Sequence, residues 1–128
     1  DEFHVTTDDG SKGNKGLNFL RDLLKTQKID RVIAMGPVVM MQTVVEMTRP
    51  YGLKTMVTLA PIMVDGMGMC GACRVSVDGE TKFACMDGPE FDGHLVDFEL
   101  LIRRQRMYLP EERISSMLRE KLGGVKPG

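Results

Sequence analysis

The three cysteines of the sequence all lie between positions 70 and 85, spaced Cys70-x2-Cys73-x11-Cys85. Two thiolates two residues apart on a tight turn can grip one metal ion or one edge of a metal cluster. Gly71 and Ala72 between them are small enough for backbone N–H groups to turn toward the sulfurs. Such hydrogen bonds stabilise and tune iron–sulfur clusters. An odd, clustered set of cysteines without a visible secretory signal argues against a disulfide framework and for metal or redox chemistry.

A 2Fe–2S cluster needs four protein ligands, and only three thiols are present. Ferredoxins of the plant type space theirs as Cys-x4-Cys-x2-Cys with a distant fourth cysteine. Reading back four intervening residues from Cys70 reaches Asp65, so the pattern becomes Asp65-x4-Cys70-x2-Cys73-x11-Cys85. A carboxylate can ligate iron, although it is a harder ligand than thiolate. Plainer readings stand beside this one. The cysteines could be free and structural, or Asp65 could be a turn residue beside Gly66. A structural zinc held by the three cysteines and His94 is a third, but His94 follows Cys85 by nine residues with no second ligand in a short turn. The eleven methionines are read as packing rather than as ligands.

These residues must be positioned by the elements around them. Residues 3–6 read as a short strand and 8–16 as a Gly-, Asp- and Asn-rich loop. Leu17, Leu20, Leu23 and Leu24 recur at helical spacing and predict a helix over 17–26. The apolar run Arg31–Met35, ending at Gly36-Pro37, reads as a buried parallel strand. A helix over 38–48 with Met41, Val44, Val45 and Thr48 on one face follows, then a buried strand over 54–59. Strand, helix, strand, helix, strand with short connections predicts a parallel α/β sheet, half of a doubly wound domain. From Pro61 the character changes to the Gly-rich loop 65–73 and a hairpin of 74–77 and 81–84 about Asp78-Gly79, a strong turn signal. Asp97 can cap a helix over 98–106, Pro110 can open a last helix to about 121, and 123–128 reads as a frayed end. The expected units are a partial NAD(P)-binding α/β domain over 1–60, a cluster-binding subdomain over 61–108, and a helix and tail over 109–128. Residue 1 is Asp rather than Met, so the sequence is expected to begin inside a longer chain.

Composition narrows the function classes. Seventeen basic against eighteen acidic residues leave a net charge of −1, without the basic stripe of nucleic-acid binders or a polybasic membrane patch. No run approaches the roughly 20 apolar residues of a membrane span. The expectation is a cytoplasmic protein with neither nucleic acid nor membrane as partner.

Gly36-Pro37-Val38-Val39-Met40-Met41 after a strand resembles the Gly-Pro-x-x-Met turn of the ferredoxin–NADP reductase superfamily. Residues 65–73, followed by Cys85-Met86-Asp87-Gly88-Pro89-Glu90-Phe91, resemble the cluster-binding tail of one branch of it. That branch contains the electron-transfer subunit of dihydroorotate dehydrogenase B. It also contains the small subunit of sulfide dehydrogenase, equivalently the NADH-binding subunit of NADH-dependent reduced ferredoxin:NADP oxidoreductase. Asp rather than Cys at the first ligand position resembles the latter type, as do 6–11, 61–66 and 91–98. The resemblance runs over about residues 5–108, and the tail from Leu109 lies outside it.

The resemblance implies a fold, the C-terminal half of a ferredoxin reductase-like NAD(P)-binding sheet with a cluster-binding appendage and C-terminal helices. It implies an oxidoreductase context in which nicotinamide, FAD and a 2Fe–2S centre exchange electrons. FAD would be bound mainly by an N-terminal barrel outside this sequence, so the chain is a piece not active alone. The implied partner is a larger, glutamate synthase-like flavoprotein subunit, or ferredoxin; a dihydroorotate dehydrogenase subunit is the alternative. Metal ligands carried over are Asp65, Cys70, Cys73 and Cys85; nucleotide contacts are Gly36, Pro37 and Met40, with Asp8, Asp9 and Ser11 where relatives meet the adenosine ribose. Gly36 admits close approach to backbone, and the helix after Pro37 presents an N-terminus that favours anions. A carboxylate at 8 or 9 accepts from a ribose 2′-OH and repels a 2′-phosphate, which favours NAD(H) over NADP(H). Lys12 and Lys15 pull the other way.

Overall fold

A computed structural model describes residues 3–121, so the expected frayed end at 123–128 lies outside the described residues. In chain order the elements are β1 (Thr6–Thr7), β2 (Asn14–Lys15), α1 (Asn18–Thr26), β3 (Arg31–Met35), α2 (Val38–Thr48), a 3-10 turn (Arg49–Tyr51) and β4 (Lys54–Thr58). They continue with β5 (Arg74–Val77), β6 (Glu80–Phe83), α3 (Ala84–Asp87), β7 (Glu90–Asp92), α4 (Phe98–Gln105) and α5 (Leu109–Lys121).

The central sheet has the order β3-β4-β7. β3 and β4 run parallel with Arg31 opposite Lys54 and Met35 opposite Thr58, joined by the expected crossover helix α2. β7 then adds antiparallel to β4, with Val57 opposite Phe91. Bonds from Leu59 N–H to the Pro89 carbonyl (2.9 Å) and from Gly93 N–H to the Thr55 carbonyl (2.8 Å) extend that ladder at both ends. The sequence reading did not foresee β7; three residues around one apolar Phe91 carry too little period-2 pattern to announce a strand.

Two expectations change. The first strand does not join the central sheet. β1 instead pairs in parallel with β2, inside the segment expected to be loop. Thr7 fastens this loop: its hydroxyl donates to the Lys12 carbonyl at 3.1 Å and accepts the Lys12 N–H at 3.2 Å. Short-range closure fixes fewer residues than a long-range pairing and is satisfied locally. β3 is also not buried on both faces. Ile33 and Met35 are each 64% exposed, and only Ala34 is buried. β3 is an outer strand of the sheet, and the side chains of Ile33 and Met35 are left largely open to solvent.

The α2 face behaves as expected, with Met41, Val44, Val45 and Thr48 buried. Thr55 on β4 donates its hydroxyl to Thr48 at 2.6 Å, and Thr48 donates to the Val45 carbonyl at 3.1 Å, so the two fully buried hydroxyls satisfy each other. The Asp78-Gly79 turn forms with both residues at positive φ, and β5 pairs antiparallel with β6. Asp97 caps α4 by accepting the Leu100 N–H at 2.9 Å. One contiguous core joins Met41, Val45, Val57 and Leu59 to Cys73, Val75, Ala84 and Leu101. The hairpin that carries the cysteines is therefore packed into the same interior as the sheet.

Gly93 marks the tightest approach in that core. A Cβ there would stand 2.5 Å from Val45 Cγ2 and 3.0 Å from Val57 Cγ1. Gly93→Ala is expected to lower unfolding stability by about 1–3 kcal/mol, measured by urea denaturation. A midpoint equal to wild type would show that β7 can shift to accept the methyl group.

Candidate metal centre

The loop between β4 and β5 is built by its own polar atoms. Asp65 Oδ1 accepts the Met67 N–H at 2.9 Å, and Oδ2 accepts the Cys70 N–H at 2.6 Å. These donors, Met67 first, hold the Asp65 carboxyl below the usual carboxylate range, against a smaller opposing effect of desolvation. Each oxygen keeps a further lone pair. The Cys70 sulfur is exposed and accepts the Ala72 N–H at 3.4 Å.

Cys73 begins β5 from inside the core, 2% exposed. Its carbonyl accepts the Ala84 N–H at 3.2 Å, which draws the far end of the hairpin back to the loop. The turn α3 follows, closed by Asp87 accepting the Phe83 N–H at 2.7 Å. Cys85 lies on that turn, and its sulfur comes 3.2 Å from that of Cys73, both thiols free. The backbone N–H of Cys85 is the largest influence holding the Cys73 thiol below its usual range, with the Ala84 N–H acting the same way. The Cys85 thiol is pushed up, first by sharing a hydrogen bond with the Cys73 sulfur, then by burial and by the charge at Cys73. The Gly68 N–H acts on both the Asp65 carboxylate and the Cys85 sulfur, favouring the anion at each. Gly68 has φ of 79°, and a Cβ there would meet Met86 Cγ at 2.9 Å. A glycine is needed where the loop crosses α3.

The structure thus brings Asp65, Cys70, Cys73 and Cys85 to one edge of the core. Among the described residues, no three His, Cys, Asp or Glu side chains gather tightly enough to hold a single ion. The donors come in two pairs, Asp65 with Cys70 and Cys73 with Cys85. That division suits a two-iron cluster, in which each iron takes two protein ligands. His94 does not serve the zinc alternative. Its Nε2 lies 2.8 Å from the Leu53 carbonyl, and its Nδ1 is buried without a hydrogen-bond partner among the described residues. It sits past Asp92, beside the start of β4, whereas the cysteines lie beyond the other end of that strand.

Gly36 has φ of 147°, and a Cβ there would meet Met40 Cε at 2.6 Å, so Met40 lies over the turn. A groove of about 350 Å³ opens at Gly36 and Pro37, with Gln105 and Arg106 on its far wall. Asp8, Asp9 and Ser11 sit in the separate β1–β2 loop, where Asp9 accepts the Ser11 N–H at 2.9 Å. They do not line that groove. Sequence reasoning missed two other residues. Arg74 Nη1 donates to the Gly71 carbonyl at 3.4 Å, and Arg104 Nη2 donates to the Ala72 carbonyl at 3.2 Å. Arg104 arrives from 32 residues away and carries no local signal.

Residues 60–97 match the family described as the iron–sulfur cluster binding domain of dihydroorotate dehydrogenase B. The chain is 55% identical over 113 residues to an uncharacterized protein in the adh 3′ region of Clostridium beijerinckii, covering 85% of this chain and 38% of that protein. It is 48% identical over 113 residues to a dihydroorotate dehydrogenase B (NAD(+)), electron transfer subunit homolog of Thermotoga maritima, covering 87% and 40%. A solved structure of an NADH-dependent reduced ferredoxin-NADP oxidoreductase superposes with a TM-score of 0.78 at 47% identity, covering 89% of this chain and 42% of that one. The chain spans about two fifths of the length of these relatives. Residues 60–97 belong to the dihydroorotate dehydrogenase B family of iron–sulfur cluster binding domains, carried by a mixed α/β chain with the fold of a ferredoxin reductase-like flavoprotein subunit.

Proposed function

We propose that this chain is the electron-transfer part of an NAD(P)H–FAD–2Fe–2S oxidoreductase, with Cys73 and Cys85 as ligands of one iron and Asp65 and Cys70 as ligands of the other. The observation that carries the reading is the 3.2 Å approach of the Cys73 and Cys85 sulfurs, twelve residues apart, beside a loop that ties Asp65 to Cys70 at 2.6 Å. A cluster bound there supplies one-electron exchange between a two-electron carrier and an acceptor. The chain's own residues do the rest. Backbone N–H groups of Cys85, Ala84 and Gly68 favour anionic donors, and the core behind Cys73 excludes water from one side.

The division into a nucleotide-binding part over 1–60, a cluster subdomain over 61–108 and a C-terminal helix and tail over 109–128 belongs to the same proposal. Gly36, Pro37 and Met40 meet the nicotinamide nucleotide, and Asp8, Asp9 and Ser11 meet the ribose and favour NAD(H). FAD is held mainly by parts of the intact protein outside this chain. Val64, Met67, Met69 and Met86 project around the ligands, 63–82% exposed, an apolar rim suited to a protein partner. The proposed partner is a larger glutamate synthase-like flavoprotein or ferredoxin, in the cytoplasm. The second reading, a subunit serving dihydroorotate dehydrogenase, is favoured by the family matched over residues 60–97. The subunit that co-purifies from cells separates the two.

Anaerobically purified protein is expected to contain about two irons and two sulfides per chain, with the absorption and spin-resonance signature of a 2Fe–2S centre. One zinc without iron or sulfide would overturn the proposal. Cys85→Ser is expected to abolish cluster retention. Asp65→Cys is expected to keep the cluster, shift its spectrum and potential and slow its loss to chelators; an unchanged spectrum and potential would remove Asp65 from the ligand set. Gly36→Val, which forces a side chain against Met40 at a φ that favours glycine, is expected to raise the KM for NADH by about tenfold in the intact enzyme.

A further inference from the structure

Two arginines hold consecutive peptide carbonyls in the turn between Cys70 and Cys73. Arg74 Nη1 donates to the Gly71 carbonyl at 3.4 Å, and Arg104 Nη2 donates to the Ala72 carbonyl at 3.2 Å. In a trans peptide the C=O and the following N–H point in opposite directions. The peptide whose carbonyl faces Arg74 therefore sends its Ala72 N–H the other way, where it donates to the Cys70 sulfur at 3.4 Å. By the same geometry, the Ala72 carbonyl on Arg104 turns the Cys73 N–H away from that guanidinium. Two cations stand behind the turn; with the carbonyl ends of both peptides on the guanidinium side, the Ala72 N–H is held toward the Cys70 sulfur and the Cys73 N–H is turned away from Arg104.

Arg104 is the better anchored of the two. It lies on α4, whose Leu101, one turn earlier, is 3% exposed in the core and whose N-terminus is capped by Asp97. It is half-buried and lines a cavity of about 120 Å³ with Pro61, Ile62, Val64 and Ala72. Arg103 beside it is exposed and faces Glu99 at 3.9 Å instead.

We propose that Arg104, assisted by Arg74, is a positioning residue for the cluster loop that orients its N–H donors and makes the bound cluster easier to reduce. The inference rests on the reading of this site as a 2Fe–2S centre. Reduction adds one electron to the cluster, with no bond made or broken in the protein. Hydrogen bonds to the sulfurs and nearby positive charge both favour the more negative, reduced state.

The test is a dithionite titration of the anaerobically purified protein, followed by spin resonance. At a fixed potential, Arg104→Gln is expected to lower the ratio of reduced to oxidised cluster by about tenfold, which is about 59 mV for a one-electron couple. It is also expected to alter the resonance line shape. Arg104→Lys keeps the charge but loses the planar fork, and is expected to titrate between the two. Arg103→Gln, which removes the same formal charge one position away, is expected to match wild type. An Arg104→Gln midpoint equal to wild type overturns the inference, as does an equal shift in Arg103→Gln. Should Arg104→Gln fail to hold a cluster, Arg104→Lys decides, and a wild-type midpoint there overturns it. Wild-type protein that takes up no iron or sulfide overturns both this inference and the functional reading; normal uptake with unmoved variant potentials overturns this one alone.

Discussion

The carbonyl of Cys73 accepts the Ala84 N–H at 3.2 Å, and that bond makes the interior and the candidate metal centre one structure. It brings the end of the β5–β6 hairpin back to its beginning, so Cys85 on the next turn arrives beside Cys73. Because Cys73 is 2% exposed and Ala84 fully buried, the bond is shielded from competing water. The pair of sulfurs inherits the rigidity of the core, as a site must when its geometry sets its chemistry. Backbone N–H groups, that of Cys85 first, favour the anion at Cys73, and the hydrogen bond shared with the Cys73 sulfur is the first influence raising the Cys85 thiol.

The loop in front of this pair has little apolar packing of its own. Asp65 is half-buried, Cys70 is exposed, and Met69 is 82% exposed. Order there comes from polar closure: the Asp65 carboxylate on two N–H groups, Gly68 crossing α3, and guanidinium groups behind the turn. Loops held in this way open more easily than core strands, since each bond faces water on one side. The arrangement therefore joins a rigid sulfur pair to a more labile carboxylate–thiol pair.

The central sheet presents an outer strand whose apolar residues face solvent. Ile33 and Met35 have the composition of a buried parallel strand and the exposure of an edge. The parallel pairing of β3 and β4 was legible from the crossover spacing, because α2 has its apolar residues on one face and both strands are short apolar runs. What surrounds β3 was not legible, since a run of apolar residues records a preference for burial and not the neighbour that satisfies it. The same limit hid β7, whose place depends on the Leu59–Pro89 and Gly93–Thr55 bonds rather than on its own pattern. It also hid the partner of the first strand, which pairs with β2 inside the expected loop rather than joining the sheet.

By itself the sequence determined the types and local spacing of the candidate ligands. Asp65, Cys70 and Cys73 share one short loop, and the Asp78-Gly79 turn sends the following strand back toward it. Spacing of this kind is decisive because turns and hairpins are governed by interactions among near neighbours. Only the tertiary structure decided that the donors divide into two pairs, that His94 is committed to the Leu53 carbonyl at the far end of β4, and that Arg104 reaches the Ala72 carbonyl. The His94 and Arg104 contacts join segments 41 and 32 residues apart along the chain, and both depend on how helices and strands pack into one core. No local pattern of residue types encodes that packing.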